Sequence, residues 1–156
     1  MITQTTLASV FFTAFKDLPQ TVNESELRFG SVSESTFRRL CDFYQPQKAC
    51  TINRHLYKIS EISTLRCYEN GTKDLKTKIN SHNLKDSIGA IVVFSEEKQL
   101  PSDYPVPTNA TNQGMRHIQR CSIDIHPNLV LEFSILHNET FEIEIEFKRF
   151  PTTPEE

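Results

Sequence analysis

At 156 residues the chain is the size of one ordinary domain, long enough to bury a core without disulfide or metal staples. A net charge of −3 excludes a bulk electrostatic binder of nucleic acid or membranes, so an anionic ligand has to be met by a local cluster of Lys and Arg. Cys41, Cys50, Cys67 and Cys121 form no C-x-x-C pair and have no partnering histidine spacing, which excludes a zinc or redox motif and suits a reducing, cytoplasmic setting.

Residues 2–17 place Leu7, Val10, Phe11, Ala14 and Phe15 at helical spacing, and Pro19 closes the segment. With Ser9 and Thr13 interrupting it and no basic leader before it, the stretch predicts a helix rather than a signal peptide or a membrane span. The N-x-[ST] sequons at Asn23, Asn70, Asn109 and Asn138 are therefore read as coincidental in a chain rich in Ser and Thr. A strand follows over residues 23–30, in which Glu24, Glu26 and Arg28 share one face. Next comes a second helix. Ser31 and Glu34 fit an S-x-x-E capping box, and Phe37, Leu40, Cys41 and Tyr44 recur at helical spacing before Pro46.

Beyond that helix the period is two. Strands are expected over 56–69, 73–80, 88–97, 115–125, 128–136 and 140–149, about seven in all, with a long proline-containing connection or lid over 101–114. The reading is one domain over 1–150, mainly β with two helices covering the sheet, and a tail at 151–156 that resembles the start of a linker.

The sharpest chemical signal is Phe141-Glu142-Ile143-Glu144-Ile145-Glu146-Phe147. Same-face neighbours on a strand sit roughly 7 Å apart, so the three glutamates form one acidic row and the apolar residues the other face. Taken alone, that row and the Glu24/Glu26 pair also fit solvated strand faces. Two carboxylate strands near opposite ends of the chain become neighbours if a barrel closes, and converging carboxylate oxygens suit Mg²⁺ or Mn²⁺. The middle of the chain supplies the opposite charge: Arg66, the alternating Lys76 and Lys78, then Arg116 and Arg120. A basic wall facing an acidic, metal-binding wall suits a triphosphate. Glu132 points away from the apolar face of its strand, and Glu97 ends another, within reach of a substrate water or a basic neighbour.

These residues resemble the triphosphate tunnel metalloenzymes, in particular the RNA 5′-triphosphatase domains of viral and fungal-type capping enzymes. The resemblance runs from Glu24 to Phe147 and is carried by Glu24-Ser25-Glu26-Leu27-Arg28-Phe29-Gly30, similar to an E-x-E-x-[KR]-F-G opening strand, and by the closing Glu142-Ile143-Glu144-Ile145-Glu146. It implies an antiparallel tunnel barrel that hydrolyses the γ-phosphate of triphosphate-ended RNA, the first step of cap formation. Glu24, Glu26 and Glu146 would hold Mg²⁺ or Mn²⁺. Arg28, Arg66, Lys76, Lys78, Arg116 and Arg120 would bind the substrate, and Glu97, Glu132, Glu142 and Glu144 would position water and the phosphate-binding cations. Ile118 stands where related viral enzymes carry a basic residue. The implied partners are the 5′ end of RNA and guanylyltransferase and methyltransferase domains or subunits, since no K-x-D-G or glycine-rich methyl-donor motif is present here; the implied setting is cytoplasmic or a virion. Tripolyphosphate or nucleoside triphosphate hydrolysis would use the same walls. A non-catalytic barrel serving as a transcription-machinery subunit should have lost the glutamate rows.

Overall fold

A computed structural model describes residues 19, 21–84, 89–137 and 139–148. The helix expected over 2–17 and the tail at 151–156 lie outside the described residues. Eight strands, β1 Glu24–Val32, β2 Lys48–Lys58, β3 Ser63–Tyr68, β4 Lys73–Leu84, β5 Ala90–Leu100, β6 Thr111–His126, β7 Leu129–Leu136 and β8 Phe141–Phe147, surround a lumen. Among the described residues one helix, α1 Glu34–Tyr44, connects β1 to β2. The strands close in the order β1-β5-β4-β3-β2-β6-β7-β8, with every pairing antiparallel. Closure removes the sheet edges and gives a narrow interior reached only by alternate side chains.

That alternation sorts the sequence. Leu131, Phe133 and Ile143 turn outward, and Phe37 of α1 seals them: its ring meets Phe133 edge-on at 5.6 Å and lies 5.0 Å from Phe141. Leu27, Val92 and Phe94 form a second outward cluster with Val22. The intervening Glu132, Glu144 and Glu26 point into the lumen, where they are nonetheless at most 9% exposed.

Four expectations change. The strand expected over 56–69 is a hairpin, because residues 59–62 turn between β2 and β3 and bring Arg54 opposite Tyr68 and Leu56 opposite Arg66. This supplies the eighth strand. The N-cap of α1 is Ser33, whose Oγ accepts from the Thr36 N–H at 3.1 Å, and not Ser31. Ser31 belongs to β1, which runs on past a register shift after Arg28, with Gly30 at φ +71° easing the irregularity. Finally, of the two readings of the proline-containing segment the exposed connection holds and the lid does not, and it is shorter than expected, an outer strap over 101–110, because β6 already begins at Thr111. In a fully antiparallel barrel β5 and β6 point the same way, so the strap has to run back along the barrel from the end of one to the start of the other. It is pinned where Lys73 Nζ donates to the Tyr104 carbonyl at 2.6 Å, and none of its residues lines the lumen among the described residues.

Candidate active site

The lumen encloses ≈ 430 Å³. Every candidate site residue lines it except Lys78, which is exposed at one mouth. Around the closed barrel the charges segregate, apart from Arg28 on β1 and Asp74 on β4. Consecutive strands β7, β8 and β1 bring Glu132, then Glu142, Glu144 and Glu146, then Glu24 and Glu26. On the facing strands β4, β3, β2 and β6 stand Lys76, Arg66, Arg54, Arg116 and Arg120.

Ion pairs tie the walls together at their seams. Lys76 Nζ lies 2.6 Å from Glu24 Oε1 and 3.7 Å from both Glu26 and Glu97. Arg28 binds Glu26 and lies 3.7 Å from Glu144, while Arg120 Nε is 3.2 Å from Glu132. Arg66 forks onto Asp74 at 2.6 and 2.9 Å and reaches Glu97 at 3.0 Å. Glu97 therefore holds a basic neighbour. Burial disfavours the Arg66 charge, but the Asp74 pairing overrides it and raises its pKa.

The acidic wall carries more negative charge than its cations balance. Burial, and then sharing a proton with Glu26, pushes Glu144 up to about 9. Glu26 is held down at about 2: burial would raise it, but the Glu144 hydrogen bond and the charges of Lys76 and Arg28 prevail. Glu146 is raised to about 8 by burial and by Glu132, and Glu24 to about 7 by burial and by Glu97. Glu97 is depressed to about 2, since Glu24, Arg66 and Lys76 outweigh its burial. Protons thus hold the crowded carboxylates together. A hard divalent cation would relieve the same repulsion, and an all-oxygen donor set fits Mg²⁺ or Mn²⁺. Among the described residues no three carboxylates are already gathered into a cage.

Sequence reasoning missed Arg54, Tyr68 and Asp74, all of which line the cavity. Arg54 is the informative one. It faces Arg116 across the β2/β6 pairing, and its one hydrogen bond is a long one to Tyr68 Oη at 3.5 Å. Its Nε is buried without a partner, and burial followed by the nearby Arg66 charge lowers its pKa. A guanidinium placed there costs stability unless an anion arrives.

A charge-segregated lumen inside a closed eight-stranded antiparallel barrel decides the architecture. This chain has the triphosphate-tunnel fold. It is similar to the RNA triphosphatase domain of the trifunctional mimivirus mRNA capping enzyme, with a TM-score of 0.69 at 10% identity over 93% of this chain and 87% of that one. The Pct1 RNA triphosphatase of S. pombe, solved in complex with the Spt5 CTD, matches with a TM-score of 0.64 at 12% identity, over 94% and 80%. The HpAC1 protein of Hippeastrum, in which a triphosphatase activity is dominant, matches at 0.57 and 18% identity, over 85% and 81%. No family profile and no curated protein sequence matches the chain. The tunnel fold is thus established by three-dimensional similarity at identities that leave activity to be argued from the site. Among the described residues no helix is long and apolar enough to cross a membrane.

Proposed function

We propose that the chain is a metal-dependent RNA 5′-triphosphatase, catalysing the first step of cap formation. The observation that carries this reading is the division of one enclosed lumen into an acidic wall and a basic wall, with the Nε of Arg54 buried and unpartnered among the described residues. In the reaction a water oxygen attacks the γ-phosphorus in line, the bond from that phosphorus to the β-bridging oxygen breaks, and inorganic phosphate and diphosphate-ended RNA leave. Arg54, Arg66, Arg116, Arg120 and Lys76 take the phosphate oxygens and neutralise the charge that builds on the leaving group. Glu97, Glu132 and Glu144 hold those cations and Arg28 in place, and Glu142 closes the acidic row. When bound by Glu24, Glu26 and Glu146, Mg²⁺ or Mn²⁺ would neutralise phosphate charge and orient water.

Capping also requires guanylyltransferase and methyltransferase activities, which we assign to other domains or subunits in the same cytoplasmic or virion compartment. The test is release of labelled γ-phosphate from triphosphate-ended RNA with Mg²⁺, with Mn²⁺ and in chelator, against inorganic tripolyphosphate and ATP. Metal-dependent release from RNA is expected. Release from the free triphosphates alone would replace RNA as the substrate, and undiminished release in excess chelator would overturn the metal assignment.

A further inference from the structure

The lumen continues beyond the triphosphate cavity. A second hollow of ≈ 300 Å³ opens at the end of the barrel that carries the β2/β3 turn, and the two spaces share Arg28, Arg54, Arg66 and Lys76. Their charge differs sharply. Eight carboxylates and six cations line the main cavity, whereas the outer hollow has five cations, those four and Lys78, against the single carboxylate Glu61. Arg28, Arg66 and Lys76 are already paired with carboxylates. Arg54 and Lys78 have no carboxylate within salt-bridge distance among the described residues. One of these unpaired cations is therefore deep, where the two spaces meet, and the other is at the rim.

Beside Lys78 stands an apolar side chain with little reason to face water: Ile62, 54% exposed at the turn between β2 and β3. The turn is braced. The Lys78 N–H donates to the Ile62 carbonyl at 2.8 Å, and the Ser60 hydroxyl accepts from the N–H groups of Ile62 and Ser63 at 3.3 and 3.1 Å. Lys78 and Ile62 are thus fixed next to each other at the mouth. The opposite end of the lumen is lined by Glu24, Asp74 and Glu97, and there Asn23 clasps the Glu97 backbone through two hydrogen bonds of 2.7 Å. Those three carboxylates are ion-paired with Arg66 and Lys76, so the pull on an incoming polyanion comes from the unpaired Lys78 at the other end.

We propose that the mouth formed by Lys78, Thr64 and Ile62 is the port for the RNA chain. The triphosphate passes inward to Arg54, and the nucleotides behind it stay in the outer hollow, with Lys78 on an internucleotide phosphate and Ile62 against a base. This rests on the triphosphatase reading of the inner cavity and adds a length and polymer preference to it. A cation on a phosphate and an apolar surface against a base are what single-stranded RNA offers and inorganic tripolyphosphate lacks.

The experiment compares wild type with Lys78→Glu, Lys78→Ala and Ile62→Asp on tripolyphosphate, ATP and triphosphate-ended oligoribonucleotides of increasing length. Both positions are exposed, so the variants should fold, and thermal melting checks this. For wild type, kcat/KM should rise from ATP to the short oligonucleotides. Lys78→Glu should lower the ratio of kcat/KM for RNA over tripolyphosphate about tenfold, chiefly through KM, and flatten the log–log salt dependence of RNA binding by about 0.7. An unchanged ratio in both Lys78→Glu and Ile62→Asp, or no dependence on length in wild type, overturns the port. The same oligonucleotides are also bound, with fluorescence anisotropy as readout and without turnover. If no triphosphate is hydrolysed, the catalytic reading of the cavity fails, while length-dependent binding that Lys78→Glu abolishes would still uphold the port.

Discussion

Glu26 and Glu144 project into the lumen from the paired strands β1 and β8 and divide one proton unequally: Glu26 is held down at about 2 and Glu144 is pushed up to about 9. Arg28 touches both. At neutral pH the metal-free protein therefore carries a neutral Glu144 donating to an ionised Glu26. The amide of glutamine can make that donation without titrating. Glu144→Gln should accordingly leave metal-free stability at pH 7 within about 0.5 kcal/mol of wild type, while γ-phosphate release falls about 10–100-fold because the support of Arg28 and of the bound cation is altered. Glu139→Gln is the control, since Glu139 is exposed in the turn before β8. Equal, full activity in both variants would remove Glu144 from the machinery.

Arg54 tests the basic wall in the opposite sense. Arg54 is half-buried with its Nε fully buried, faces Arg116 and has no carboxylate within salt-bridge distance among the described residues, so Arg54→Met keeps the stem's packing and removes an uncompensated cation. The melting temperature of the ligand-free protein should hold or rise. Hydrolysis should fall about 10²–10³-fold, the scale of losing one preorganised donor to developing charge. A variant that melts lower and hydrolyses normally would make Arg54 a packing residue.

The contrast between these two residues shows what the sequence could reveal. Glu144 lies in a strand whose outward positions are Ile143, Ile145 and Phe147, so an apolar alternation marks the acidic residues as a separate face. Arg54 lies in Lys48–Lys58, where the pattern is reversed. Ile52 and Leu56 point into the lumen beside Arg54, and the outward Asn53, His55 and Tyr57 lie on the opposite face of the strand. No apolar face stands out there, and period-two reading merges the end of β2 with β3. Asp74 was likewise hidden, because its role is visible only once the β3/β4 pairing sets it opposite Arg66. Alternation groups Lys78 with Lys76, yet the two differ in depth along the tunnel, which periodicity cannot report.

Metal binding should release protons. At pH 7 Glu144 and Glu146 are protonated in the metal-free protein and Glu24 is near its midpoint, while a cation requires ionised carboxylates. Calorimetric titration with Mn²⁺ in two buffers of different ionisation enthalpy should report net proton release, with affinity that tightens as pH rises. Binding with no proton release at pH 7 would place the cation away from these glutamates.

The same groups fix how the metal-free barrel responds to pH. Glu24, Glu146 and Glu144 have folded values of about 7, 8 and 9, above the ordinary 4.5. Their contribution is complete below 4.5 and is lost as pH rises toward 9. Glu26 and Glu97, at about 2, contribute above 4.5 and lose their effect as pH falls toward 2. In chelator the melting temperature should therefore peak near pH 4.5–5 and decline on both sides. The alkaline limb should be shallower in Glu144→Gln, because one of its titrating groups is gone, and shallower in wild type with Mn²⁺, because the cation replaces the lost protons. Melting from pH 3 to 9 by differential scanning fluorimetry measures all three curves. A chelated wild-type curve that is flat from pH 5 to 9 would show that the acidic wall is open to solvent and not a crowded, desolvated row.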